Sequence, residues 1–260
     1  MRPMNPATRP PTFMMRQQPD SRIDLYCLPH AGGTAASYAR WQEALGGSIQ
    51  VIALQMPGRA ERILEAPFES MAQMALATTE LIARNVSRPM AFFGHSMGAL
   101  VAFETALLLQ KLHYAPTRIF ASACAAPCSP RPREGLHTLD DESLIGKLIE
   151  YGGTPEAVAQ NRDLMELALP GIRADFKIVD EYNPPSAARI SAPITVMAGA
   201  SDHTIELAEL DAWTDATHCG AKVKLFEGGH FYLHDESQFL EVIDHIKHEL
   251  ETHAPSRANS

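Results

Sequence analysis

The sequence lacks any cluster of lysine and arginine. Its 22 basic residues against 31 acidic ones leave a formal net charge of −9, which argues against a general nucleic-acid binder, whose phosphate contacts need concentrated positive charge. It also lacks an apolar run of bilayer length. The first twenty residues, MRPMNPATRPPTFMMRQQPD, are rich in proline and polar residues and have no apolar centre of the kind a signal peptide needs. A cytoplasmic protein without a membrane segment is expected. Cysteine is sparse too. Cys27, Cys124, Cys128 and Cys219 are not spaced as a disulfide framework in a chain of this size, so reduced thiols are expected. Cys124 and Cys128 in CAAPC find no Cys/His pair at a spacing that would complete a zinc site, and Cys27 in DLYCLP reads as a small core residue of a strand.

What is present is ordinary globular material. At 260 residues, 45% hydrophobic and 20% charged, the chain suffices for one α/β domain with a substantial core. Residues 1–20 read as a flexible N-terminal segment and 21–260 as the domain. Short β-rich runs at 23–28, 49–55, 90–94, 118–123, 193–199 and 222–228 alternate with helical periodicity at 37–45, 70–86, 98–112, 204–217 and 236–252. That pattern predicts a mostly parallel central sheet flanked by helices. It is interrupted at 127–190, where PCSPRPREG is followed by DDESLIGKLIEYGG, TPEAVAQ and NRDLMELALPGIRADFKIVDEY. These read as a helical insert. Asp140/Asp141 and Thr154-Pro155 look like helix starts, and Gly152-Gly153 like a stop. An insert at the carboxyl edge of such a sheet commonly covers a site as a lid.

The stretch AFFGHSMGAL, residues 91–100, sets a serine between two glycines where a buried strand gives way to a helix. In a nucleophile elbow the serine is held in a strained turn, and the residues two before and two after it must be small because strand and helix backbones press on them. Gly94 and Gly98 occupy those positions around Ser96. The Met97 N–H at the start of the helix can stabilise a developing oxyanion.

A serine nucleophile in this fold is followed in sequence by an acid and then a histidine. VMAGASDHTI puts Asp202 just beyond one strand, and KVKLFEGGHFYLH puts His230 beyond the next, after two glycines. His230 would take the Ser96 proton as general base, with Asp202 fixing its tautomer. Among the competitors, His203 and His234 lie nearby in sequence, while His113, His137, His218, His245, His248 and His253 lack strand-end positions. Asp175, Asp180 and Asp211 fall in helical patterns and read as solvated helix faces. The second oxyanion donor is expected from LPHAGGTAASY, where Gly32-Gly33 lets the backbone approach a substrate and Ala31 N–H points inward. His30 is open to two readings, as pocket wall or as structural residue.

Taken in order, LPHAGGTAASYARW, ALQMPGRAER, FFGHSMGALVAFE, LIEYGGTPEAV, LMELALPGIRADFKIVDEY, ITVMAGASDHTI and FEGGHFYL resemble the type II thioesterases of polyketide and nonribosomal peptide biosynthesis, from about residue 22 to about residue 250. The resemblance implies an α/β-hydrolase fold with a helical lid, Ser96 as nucleophile, Asp202 as acid, His230 as base, and Ala31 and Met97 N–H as the oxyanion hole. It further implies hydrolysis of acyl groups from the phosphopantetheine arms of acyl or peptidyl carrier proteins. No metal or redox cofactor is then required, since the phosphopantetheine belongs to the partner, and a monomer is expected. Three other readings use the same fold: a product-releasing thioesterase, a general carboxylesterase or acyltransferase, and a non-catalytic binding module, against which the Ser96, Asp202 and His230 set argues. Arg131, Arg133 and Lys147 are candidates for carrier contact. One departure stands out. Family members often carry Gly-Arg after the strand that here spans 118–123, whereas this chain reads ASACAAPCSP, with no arginine until Arg131; this bears on pocket shape and carrier contacts, not on the triad.

Overall fold

The computed structural model describes residues 12–14, 18–130, 135–154, 156–184 and 187–252. Seven strands form one sheet in the order β1-β3-β2-β4-β5-β6-β7. These are β1 (Thr12–Met14), β2 (Ile23–Leu28), β3 (Ile49–Gln55), β4 (Met90–His95), β5 (Arg118–Ser122), β6 (Ile194–Gly199) and β7 (Ala221–Phe226). All neighbours from β3 to β7 are parallel, as expected. β1 was not foreseen. It lies antiparallel on β3, Thr12 opposite Gln55 and Met14 opposite Ala53, within the segment the sequence reading left flexible; residues 1–11 and 15–17 lie outside the described residues. Three residues are too few to show alternation, so backbone pairing alone defines this strand.

Strands β2 to β6 are buried on both faces, as helix-covered sheets require, whereas the edge strand β7 is buried only at Phe226. Along β2, Ile23, Leu25 and Cys27 join the core on one face, while Tyr26 and Leu28 join the core on the other. Helices α1 (Trp41–Leu45) and α8 (Glu236–Thr252) cover the first face, and α2 (Met71–Asn85), α3 (Met97–Lys111) and α7 (Leu207–Asp211) cover the second. The periodic stretches at 37–45 and 204–217 each divide into an α-helix and a 3-10 turn.

Between β5 and β6 stand α4 (Asp141–Glu150), α5 (Glu156–Ala159) and α6 (Arg162–Asp180). The expected start at Asp140 is a true N-cap, its carboxylate accepting from Ser143 N–H at 2.8 Å, a contact worth about 1 kcal/mol. Pro155 lies outside the described residues, and α5 follows it. Helix α6 runs through Pro170, which has no N–H to return to the preceding turn. Leu144, Leu148, Met165, Leu169 and Ile172 gather in a small cluster of their own, but Ile178 of α6 belongs to the main core.

The insert is therefore not uniform. Helix α4 is held by its own small cluster, whereas the second half of α6 is built into the domain, and local opening follows such differences in buried contacts. Amide hydrogen exchange should be faster in α4 and α5 than in residues 171–180 of α6 and in β4. Equal protection of α4 and α6 would show that the insert behaves as one body.

Candidate active site

In the sheet order, the chain leaves β2 toward β3 on one side, while β4 leads to β5, β6 and β7 on the other. Adjacent strands whose connections diverge leave a crevice at their carboxyl ends. The loop carrying Ala31 follows β2 and Ser96 follows β4, so both stand at that crevice; Asp202 follows β6 and His230 follows β7.

Ser96 has φ 52 and ψ −121, a conformation costly for a residue with a side chain. The neighbouring glycines explain how it is enforced. A Cβ on Gly94 would sit 2.2 Å from the Gly98 carbonyl oxygen, and one on Gly98 would sit 2.1 Å from that of Leu28, so strand, helix and the neighbouring strand meet backbone to backbone. Ser96 N–H donates to the Ser122 carbonyl at 2.7 Å, which ties the turn to the end of β5. The Ser96 side chain does not cap α3. Met97, 2% exposed, opens α3, so its N–H belongs to the first turn that lacks intrahelical acceptors and sits at the positive end of the helix dipole.

The acid and the histidine meet. His230 Nδ1 lies 2.8 Å from Asp202 Oδ2, and Asp202 Oδ1 accepts from Thr204 N–H at 3.0 Å and from the Thr204 hydroxyl at 2.6 Å. Burial by itself would raise the Asp202 pKa; the hydrogen bond and charge of His230 and the two bonds from Thr204 outweigh it and hold the carboxyl below its ordinary value. An ionised carboxylate only accepts, so His230 must carry its proton on Nδ1, leaving Nε2 as the basic nitrogen. His203 and His234 are exposed.

Ala31, Ser96 and His230 line one cavity of about 240 Å³, roofed by Leu148, Ile172 and Phe176 of the insert. His30 also lines it, packed edge-on against Phe231 with ring centroids 4.8 Å apart, and so serves as a wall. His95, next to the serine, is 2% exposed. Its Nδ1 lies 2.9 Å from the Ser122 hydroxyl, itself 2.8 Å from the Tyr232 hydroxyl, and its Nε2 has no hydrogen-bond partner among the described residues. This buried chain links the ends of β4 and β5 to the loop that carries His230.

Two carboxylates read as solvated are not. Asp175 is fully buried and receives Arg59 Nη1 on Oδ2 at 2.6 Å and Nη2 on Oδ1 at 2.9 Å. Asp180 lies 2.7 Å from His137 Nδ1 and lines the cavity. A signal for Asp175 was present, since it stands beside the apolar stripe Leu169, Ile172, Phe176 and Val179 of an amphipathic helix, where an unpaired charge is not tolerated. Nothing local marks Arg59 as its partner, 116 residues away. Lys147 pairs with Glu150 at 2.7 Å, and Arg131 and Arg133 lie outside the described residues.

A mostly parallel sheet with a serine elbow after a central strand, an acid and a histidine beyond later strands, and a helical insert over the crevice defines a serine hydrolase of the α/β-hydrolase class. The chain belongs to the thioesterase family: the family model described as a thioesterase domain matches residues 23–250. It is 35% identical over 216 residues to the gramicidin S biosynthesis protein GrsT of Aneurinibacillus migulanus, spanning 83% of this chain and 84% of the relative. It is 36% identical over 234 residues to the thioesterase PikA5 of Streptomyces venezuelae, 88% of this chain and 82% of that one. The solved type II thioesterase BorB from the borrelidin biosynthetic cluster superposes with a TM-score of 0.81 at 34% identity, covering 92% of this chain and 97% of that structure. No helix among the described residues is long and apolar enough to cross a membrane.

Burial above all holds the His95 pKa well below the ordinary imidazole value of 6.5, and burial first of all lowers that of His30 to about 3. Above about pH 6.5 both are neutral folded or unfolded. Below it the unfolded chain takes up protons that the folded one refuses, so stability falls with pH by up to about 1.4 kcal/mol per unit for each imidazole. Asp202 acts in the same sense at lower pH, its contribution being lost as pH falls through its lowered folded value. Urea unfolding should show wild type losing more stability than His95→Gln between pH 7 and pH 5. Equal losses would mean that His95 titrates normally in the folded protein.

Proposed function

We propose that this protein hydrolyses acyl and aminoacyl thioesters from the phosphopantetheine arms of acyl or peptidyl carrier proteins, removing stalled or aberrant chains from a polyketide or nonribosomal peptide assembly line. The observation that carries the reading is the cavity in which Ser96 and His230 face apolar side chains of the insert. Such a chamber, walled largely by apolar side chains beside the reacting groups, accepts an acyl chain. The similarity to GrsT and BorB, both named for biosynthetic pathways, supports the choice of partner.

Ser96 Oγ attacks the thioester carbonyl as His230 Nε2 takes its proton, and the resulting oxyanion is held by Ala31 and Met97 N–H. The tetrahedral intermediate collapses, the carbon–sulfur bond breaks, and His230 returns the proton to the departing thiolate. Water, deprotonated by His230, then attacks the acyl-enzyme and releases the acid, with the proton passing back to Ser96 Oγ. Asp202 stays ionised throughout, holding the imidazole in its tautomer and favouring the imidazolium. The enzyme uses no cofactor of its own, and it acts as a cytoplasmic monomer. Carrier proteins are usually acidic, as is this chain with its net charge of −9, so docking rests on local contacts and is weak and transient.

Ser96→Ala should leave the fold intact and abolish acyl-enzyme formation, read by mass spectrometry after mixing with an acyl-carrier thioester; near-normal turnover would remove Ser96 from the reaction. Asp202→Asn should lower kcat by about 10³ to 10⁴ with the site still assembled.

The partner is tested by substrate. kcat/KM for one short acyl group should fall from carrier protein to free pantetheine thioester to simple alcohol ester. An alcohol ester that proves the best of the three would establish a general esterase instead.

A further inference from the structure

Helix α6 has two neighbouring faces with different neighbours. Ile172, Phe176 and Val179 line the cavity. Gly171, Ile172 and Asp175, one turn together, sit on two loops of the main domain. A Cβ at Gly171 would lie 2.4 Å from the Gly58 carbonyl oxygen, and one at Gly32 would lie 2.9 Å from Ile172 Cγ1. Between those contacts, Gly32 N–H donates to Asp175 Oδ2 at 2.7 Å, the same oxygen that receives Arg59 Nη1 at 2.6 Å. Arg59 also donates to the carbonyls of Pro57 at 3.3 Å and Gly33 at 3.4 Å. The loop is closed on its other side by Gly33 N–H donating to the His30 carbonyl at 2.9 Å. The Arg59 and Asp175 side chains are 6% and 1% exposed, and neither lines the cavity.

We infer that Arg59 and Asp175 are positioning residues for the oxyanion hole. The carboxylate grips the Ala31–Gly32 peptide by its N–H, and the guanidinium grips both the carboxylate and the Gly33 carbonyl, so the turn that presents Ala31 N–H is fixed from outside the substrate's reach. The inference rests on the reading of Ala31 N–H as an oxyanion donor. Because the other face of α6 is the chamber wall, the element that meets the acyl chain is also the element that sets the donor. An oxyanion contact is made in the transition state and not in the ground state, so loss of the grip acts on kcat and leaves KM nearly unchanged.

A buried ion pair also stabilises its surroundings once formed, so the test must separate folding from catalysis. Removing one partner strands a buried charge, whereas replacing both with apolar residues of similar volume is often tolerated. Arg59→Met and Asp175→Leu singly should lower the melting temperature and the rate. The double variant should recover most of the melting temperature, but it leaves Gly32 N–H without its acceptor. Its kcat on an acyl-pantetheine thioester, and its rate of Ser96 labelling by a fluorophosphonate, should stay about 100-fold below wild type, with KM within about two-fold. Labelling needs the serine and the oxyanion hole but no thioester. A double variant that labels at the wild-type rate overturns the proposal. If the double variant fails to fold, Asp175→Asn decides: it keeps the volume but offers one acceptor oxygen where Gly32 and two guanidinium nitrogens require two. Labelling about ten-fold slower is expected, and an unchanged rate overturns the inference. A wild-type enzyme that labels but does not hydrolyse carrier thioesters would instead defeat the functional reading, with the labelling ratios still judging this one.

Discussion

The site depends on a backbone contact with no room in it. The end of β4, the start of α3 and the end of β2 are so close that a single methyl group on Gly94 or Gly98 would fall 2.2 Å or 2.1 Å from a carbonyl oxygen. That closeness forces the reversal at Ser96 and its positive φ of 52, and it sets the first free amides of α3 beside the serine hydroxyl. It also brings the β2 loop, with Ala31, to the same place. Cores of ordinary density resist such intrusion at a cost of about 1 to 3 kcal/mol, and here the intruded atoms are backbone, which cannot rotate away.

Around this contact the polar groups are arranged so that one imidazole is held by a carboxylate. Asp202, ionised by its bonds from Thr204 and His230, commits His230 to one tautomer. The histidines beside it are kept neutral, His95 and His30 both losing proton affinity chiefly to burial. Neutral neighbours place no standing positive charge beside His230. The insert adds an apolar roof, and its longest helix is joined to the domain by Asp175 and Ile178. It is a wall on one side of the chamber, with α4 the more loosely held part.

Much of this was legible. Short β-rich runs alternating with helical periodicity gave six of the strands to within a residue or two, and the helical insert followed from the break in that alternation between 118–123 and 193–199. The strand-end positions of Ser96, Asp202 and His230 were readable from the strand pattern, and the flanking glycines narrowed the choice among eleven histidines. Strand β1 was invisible because three residues carry no period. Asp175 was misread because helical spacing tells which residues share a face and not what covers that face. His95, Ser122 and Tyr232 were overlooked for a related reason, since each looks like ordinary core or turn material until the ends of β4 and β5 meet the loop after β7.

The sequence by itself therefore determined the local chemistry: which residue turns sharply, which loops end in an acid and a base, and which helices cap where. These are effects of neighbours along the chain, and they act over a few residues. The tertiary structure alone decided the strand order, and with it the crevice between β2 and β4; the pairing of Arg59 with Asp175 across 116 residues; and the closure of the chamber by α6. Those outcomes depend on groups that meet only when distant segments are packed, and on the desolvation that makes a buried charge find its partner.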